Sequence, residues 1–147
     1  MTTPNVKSIM SSKVEWVQPS TSLDKIAQTM KERDVGCVLV GENDKLIGIV
    51  TDRDIALRAI AAAKHPAQTT AKDIMTKGVL YCKETDTVDA AAANMAKNLV
   101  RRLVVLDDKK RLVGIISLGD LATVKATQTA LGSALGDICR PSTKKAA

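Results

Sequence analysis

The chain repeats itself. Lys7-Ser8-Ile9-Met10 recurs as Lys72-Asp73-Ile74-Met75, an offset of about 65 residues that also pairs Val14 with Val79, Asp24 with Asp89, Met30 with Met95 and Val40 with Val105. One extra residue near Arg111 shifts the frame. Beyond it, Leu46-Ile47-Gly48-Ile49-Val50-Thr51 matches Leu112-Val113-Gly114-Ile115-Ile116-Ser117, and Asp54 matches Asp120. Trp16 and Tyr81, the only aromatic residues, also fall on equivalent positions. A duplicated chain is confined to two copies of one supersecondary unit. A copy of about 65 residues buries so little surface that it would be only marginally stable alone. The copies are therefore expected to pack sheet face to sheet face about a pseudo-twofold axis, with the cleft between them as the natural ligand site.

Each copy reads as strand, helix, hairpin, helix, which makes the fold class α/β (α+β) with two tandem β-α-β-β-α repeats. Val14 to Val17 is a short strand, and Thr21-x-x-Asp24 resembles a capping box ahead of a helix with Leu23, Ile26, Ala27 and Met30 on one face. Cys37 to Val40 and Leu46 to Val50 are apolar strands joined by the turn-like Gly41-Glu42-Asn43-Asp44, and residues 52–63 read as a second helix. The second copy repeats this with a helix from Val88 to Lys97, strands Leu103 to Leu106 and Leu112 to Ile116, and a helix from Leu118 to about Ala126. The expected boundaries are 1–64 for repeat one, 65–71 for a linker with Pro66 ending the helix, 72–127 for repeat two, and 128–147 for a C-terminal turn and tail. In that last piece Leu131, Leu135 and Ile138 suit one or two amphipathic turns before Pro141, and Ser142 to Ala147 reads as a frayed tail.

Composition narrows the function classes. Hydrophobic residues at 45% and charged residues at 26% suit a globular chain rather than a disordered one. One Trp, one Tyr and no Phe nearly exclude sheets that stack RNA bases on aromatic side chains. No apolar run is long enough for a transmembrane helix and the N-terminus lacks a signal pattern, so a cytoplasmic protein is expected. Cys37, Cys82 and Cys139 are widely spaced and odd in number, which argues against a disulfide framework. Joined with His65 they make a four-ligand set only in number, because the short paired spacings of zinc sites are missing; no metal site is expected.

The sharpest local feature is Gly48-Ile49-Val50-Thr51-Asp52-Arg53-Asp54, echoed by Gly114-Ile115-Ile116-Ser117-Leu118-Gly119-Asp120. Glycine on a strand admits the close approach of another backbone or of a ligand. The Thr51 or Ser117 hydroxyl stands where strand becomes helix, and the carboxylate three residues on can accept hydrogen bonds from two adjacent hydroxyls, as on a ribose, beside a helix N-terminus that attracts phosphate. The same spacing is also a helix N-cap, and for one copy considered alone the cap is the favoured reading. Duplication does not separate the two, since both copies need a helix start.

These segments, with Ile9-Met10, Asp34-Val35-Gly36, Thr51-x-Arg53-Asp54-Ile55, Arg101-Arg102-Leu103-Val104-Val105 and Ser117-x-Gly119-Asp120-Leu121, make the chain from about Val6 to Ala126 resemble a pair of CBS domains, the Bateman module. The resemblance implies a disk-like homodimer and an adenine nucleotide or adenosyl ligand (AMP, ADP, ATP, NAD or S-adenosylmethionine) held between copies, with Thr51, Asp54, Ser117 and Asp120 on the ribose. Arg101 and Arg102 resemble the phosphate-contacting pair of the AMP-activated kinase's regulatory subunit, and arginine suits phosphate through its permanent, forked charge. A solvated basic pair at a strand start is the equally weighted alternative. Copy one carries Gly36-Cys37 there, with Arg53 as a substitute, so the Ser117–Asp120 site is expected to be the tighter. The chain departs from the family where Leu39 and Val104 replace a common proline. Trp16 and Tyr81 stand where smaller residues are usual, and are read as filling the core or lining an adenine-sized gap.

An enzyme is not expected: His65 lies in the linker without a nucleophile at suggestive spacing, and there is no phosphate-cradling glycine loop. Asp107-Asp108 runs into Lys109-Lys110-Arg111 as a solvated hairpin tip. The leading expectation is a stand-alone regulatory sensor that dimerises through Ala-rich helices and acts on an effector protein in trans. The alternatives are a nucleic-acid-binding protein using its net charge of +6, with Lys109, Lys110, Arg111, Lys144 and Lys145 on a basic face, and a dimerisation scaffold with vestigial sites.

Overall fold

The computed structural model describes residues 4–43, 45–124 and 128–139. It forms two compact units. One is Val14–Val79; the other joins the segment ending at Lys13 to the chain from Leu80 onward. The expected tail, together with Asp44, Ala126, Pro141, Lys144 and Lys145, lies outside the described residues.

In the Val14–Val79 unit, β1 (Trp16–Val17), β2 (Cys37–Glu42) and β3 (Lys45–Thr51) form a sheet in that order, β1 parallel and β3 antiparallel to β2. β2 is central, and its uninterrupted Val38-Leu39-Val40 run is fully buried because alternate residues point to opposite covered faces. Against one face pack α2 (Leu23–Arg33), through Leu23, Ile26 and Met30, and the helix that begins as α3 (Asp52–Asp54) and continues with π-helical winding over Ile55–Ile60. The short α4 (Ala71–Ile74) adds Ala71 and Ile74 to the same core.

The other unit begins with α1 (Val6–Ile9) and repeats the plan with β4 (Tyr81–Lys83), α5 (Val88–Asn98), β5 (Arg102–Leu106), β6 (Leu112–Ser117) and α6 (Leu118–Ala122). Its parallel–antiparallel sheet order is the same. The β-α-β-β-α reading therefore holds in both units.

The segment that opens each sequence repeat packs into the sheet of the other one. Ser11 bridges Ile115, while Thr76 bridges Ile49. Met10 fills the space left by Gly114 and Met75 the space left by Gly48, where an added Cβ would come within 2.8 Å and 2.6 Å of the respective sulfurs. The recurring Ile-Met pair and the strand glycine are thus two halves of one contact, and the close approach inferred at the glycines is made by the chain itself.

Several local expectations are corrected. Thr21 does not box the start of α2: the N-cap is Ser22, whose hydroxyl donates to Asp24, while Thr21 Oγ1 accepts from the Gln18 N–H at 3.1 Å. Ala27 faces solvent instead of joining Leu23 and Ile26. Gly41 and Glu42 belong to β2, past a register irregularity after Val40, so the turn starts at Asn43, which has φ 53°. The second helix of repeat one ends at Ile60 rather than at residue 63, because Ala63 takes a left-handed φ of 56° before Pro66 is reached. In place of one or two turns near the C-terminus, α7 (Gln128–Cys139) is a full helix that buries Ala134 and Ile138, with Leu135 40% exposed. Trp16 and Tyr81 are 48% and 58% exposed, so neither fills a core. Asp107 is not solvated: it is buried, accepts from the Lys109 and Arg111 backbone N–H groups, and pairs with Arg111 Nε at 2.8 Å.

Candidate functional site

β3 and β6 each end on a hydroxyl residue that caps the helix following it. Thr51 is extended (φ −107°, ψ 162°); its Oγ1 accepts from the Asp54 N–H at 3.0 Å, and Asp54 Oδ2 accepts from the Thr51 N–H at 2.9 Å. Ser117 repeats this with Asp120 at 3.2 Å and 2.8 Å, and its hydroxyl lies a further 3.1 Å from the same Oδ2. Both motifs are therefore capping boxes, in which each side chain satisfies an otherwise orphaned N–H. The capping reading is correct for both copies. It leaves each carboxylate one oxygen outside the box, Oδ1, whose surroundings differ between the copies.

The strands place the same neighbours beside each cap. Cys37 pairs with Thr51 across β2–β3, and Arg102 pairs with Ser117 across β5–β6. The Gly36 carbonyl accepts from the Asp52 N–H and the Arg101 carbonyl from the Leu118 N–H, each at 3.0 Å. Arg101 and Arg102 thus flank the Ser117–Asp120 cap at the position that Gly36 and Cys37 occupy in the first copy. Arg101 is exposed and Arg102 half-buried, and among the described residues neither guanidinium has a carboxylate partner. Two forked cations carried on the strand end that flanks a hydroxyl and a carboxylate suit an anionic, hydroxyl-bearing ligand. Arg53 is exposed at the first cap, where only its backbone N–H is bonded, to Asp52.

The two carboxylates differ in a way the sequence reading missed. Asp54 is 5% exposed, and its Oδ1 lies 3.7 Å from Arg58 Nε. Arg58 also donates from Nη1 to the Ile74 carbonyl at 3.1 Å and lies 3.4 Å from that of Met75. Asp120 is half-buried, and among the described residues its Oδ1 has no ion pair or hydrogen bond. The Asp54–Arg58 spacing of four on a predicted helix was a readable signal, and so was its loss in the second copy, where Val124 stands in that place.

The aromatic positions line pockets apart from the caps. Trp16 lies over Gly41 and, with Val17, Gln18 and Asn43, borders a pocket of about 520 Å³. Tyr81, with Leu80, Ala93, Asn94, Lys97 and Asn98, borders one of about 430 Å³. Trp16 pairs with Leu39 of β2 whereas Thr51 pairs with Cys37, so the Trp16 pocket opens toward the hairpin turn and away from the cap. Among the described residues no three His, Cys, Asp or Glu side chains converge as a metal cluster would require, and no helix is long and apolar enough to cross a membrane.

Comparison with known proteins gives a consistent result. The family model described as "CBS domain" matches residues 6–60 and 71–126. CBS domain-containing protein YhcV of Bacillus subtilis is 36% identical over 134 residues, which cover 91% of this chain and 94% of that one. A conserved CBS domain protein of unknown function from Thermoplasma acidophilum superposes with a TM-score of 0.84 over 99% of this chain and 82% of its own, at 24% identity, a likeness of fold alone. The CBS domain pair of protein MJ0100, solved in complex with 5-methylthioadenosine and S-adenosyl-L-methionine, gives a TM-score of 0.75 at 28% identity over 86% of this chain and 99% of its own.

Proposed function

This chain belongs to the CBS-domain family, and from that premise we propose that it is a regulatory sensor of an adenine nucleotide or adenosyl compound: AMP, ADP, ATP, NAD or S-adenosylmethionine. The observation that carries this reading is the Ser117–Asp120 cap, whose Asp120 Oδ1 is uncommitted among the described residues and whose Ser117 lies across the β5–β6 ladder from Arg102, with Arg101 next to it in sequence. Asp120 and Ser117 hold the ribose hydroxyls, and the two arginines hold the phosphate or carboxylate end of the ligand. Thr51, Asp54 and Arg53 form the weaker counterpart in the first copy, which lacks the arginine pair. The ligand is regulatory and not consumed, and the protein acts without catalysis. Occupancy is passed by a homodimer to an effector protein in trans.

A thermal-shift panel of AMP, ADP, ATP, NAD and S-adenosylmethionine on ligand-stripped protein, with inorganic phosphate as control, tests this. A ligand at a hundred times its Kd stabilises by about 2.7 kcal/mol. The expected result is a shift with one adenosyl compound that is lost in Asp120→Ala and reduced in Arg102→Ala. No shift with any of the five, joined to steeply salt-dependent binding of nucleic acid, would overturn the reading.

A further inference from the structure

We infer that Arg58 is a resident competitor for the ligand at the first cap, so that the two copies of the site are unequal by construction and the chain takes one ligand at its working affinity. The inference rests on the functional reading above and names the residue that controls it. A ribose diol is held by donating its O–H groups to a carboxylate, and the carboxylate must have an oxygen to offer. In the second copy Asp120 Oδ2 takes both the N–H and the hydroxyl of Ser117, leaving Oδ1 as that acceptor. In the first copy Oδ2 of Asp54 takes the Thr51 N–H, and Oδ1 faces the Arg58 guanidinium at 3.7 Å, with the carboxylate 5% exposed.

Arg58 is not a loose surface cation that a ligand would brush aside. Its Nη1 donates to the Ile74 carbonyl at 3.1 Å, in the segment whose Met75 packs against Gly48. The guanidinium is thus held from two sides, by Asp54 and by the start of the second repeat. A ligand entering the first cap must displace the Arg58 guanidinium, whereas among the described residues no side chain pairs with Asp120 Oδ1 at the second. The position equivalent to Arg58 is Val124, which carries no charge, and among the described residues no cation pairs with Asp120.

Calorimetric titration of the full chain with AMP, and separately with S-adenosylmethionine, tests this. The wild type should bind one probe per chain, and Asp120→Ala should weaken that binding by tenfold or more. Adding Arg58→Gln to Asp120→Ala should recover tenfold or more of the loss, and Arg58→Gln alone should bring the stoichiometry toward two. If Arg58→Gln does not keep the wild-type circular dichroism, Arg58→Met takes its place, because it retains the aliphatic stem. Two equal sites in the wild type, or a double variant that binds no better than Asp120→Ala, would overturn the inference and leave the sensor reading standing. A wild type that binds neither probe would overturn this inference, and the sensor reading would fall with it only if ADP, ATP and NAD also fail to bind.

Discussion

A methyl group added at Gly114 would lie 2.7 Å from the Ser11 carbonyl oxygen and 2.8 Å from Met10 Sδ. At Gly48 the corresponding contacts are all to the Met75 side chain, 2.6 Å from Sδ and 2.9 Å from Cγ. A thioether can rotate away, but a carbonyl paired in an antiparallel bridge cannot move without breaking that bridge. Gly114→Ala is therefore expected to cost about 1–3 kcal/mol, and Gly48→Ala less, as read from urea denaturation midpoints. Equal costs would mean that the Ser11 bridge yields. The glycines, the Ile-Met pairs and the hydroxyl–carboxylate spacing were all legible in the sequence as a repeated set. Their assignment to one another was not, because a strand glycine does not record whether a ligand, a backbone or a methionine fills the space beside it. Arg58 was missed for a related reason: its partner Asp54 already had a role in the motif, and the pairing shows only when both carboxylate oxygens are followed.

Among the elements, the β5–β6 hairpin depends on one carboxylate. The Arg111 backbone N–H, then the Arg111 guanidinium and the Lys109 backbone N–H, hold the Asp107 carboxyl below its ordinary value of 3.8, against the opposing effect of burial. A carboxyl whose folded-state pKa is depressed contributes stability that is present above its unfolded pKa and is lost as pH falls through the folded one. Asp107→Asn is therefore expected to melt below the wild type at pH 7, and the gap should narrow as pH is lowered below about 4. A gap that persists unchanged at pH 3 would show that the hydrogen bonds act without the charge. Strand and helix order was readable within each β-α-β-β-α unit, because apolar runs and 3.6-residue spacing report burial directly, whereas the short α1 and α4 and the full length of α7 were not. The caps and ends were less so. Thr21-x-x-Asp24 has the box spacing, but Ser22 stands at the N-cap position and makes no side-chain cap hydrogen bond, and α5 ends on Leu99 in a left-handed conformation (φ 54°) where the first copy uses Asp34. Leu99 is an uncommon choice for that conformation, so propensity alone does not mark the boundary.

For the whole molecule, the question is what covers the apolar residues that the chain leaves exposed. Leu57 and Ile60, on the helix that follows the first cap, are 51% and 58% exposed, and Leu135 on α7 is 40% exposed. Of the two Ala-rich stretches expected to supply a contact face, Ala90 to Ala93 buries Ala91 and Ala92 in the core of its own unit and leaves Ala90 and Ala93 exposed, and Ala59 to Ala63 buries Ala59 and leaves Ala61 and Ala62 exposed. If the protein is a homodimer, large exposed side chains such as these are better candidates for its interface than the alanines, since a leucine or isoleucine buried on association gains about 1.5–3 kcal/mol. Light scattering coupled to gel filtration is expected to give a dimer for the wild type and a monomer for the Leu57→Glu, Ile60→Glu double variant. A dimer that survives both charges would place the interface elsewhere, and a monomeric wild type would remove it. Because Ser117, Asp120, Arg101 and Arg102 all lie outside that helix, the monomeric variant should still bind AMP with the wild-type dependence on Asp120. A loss of binding on dissociation would instead mean that a second copy completes the site.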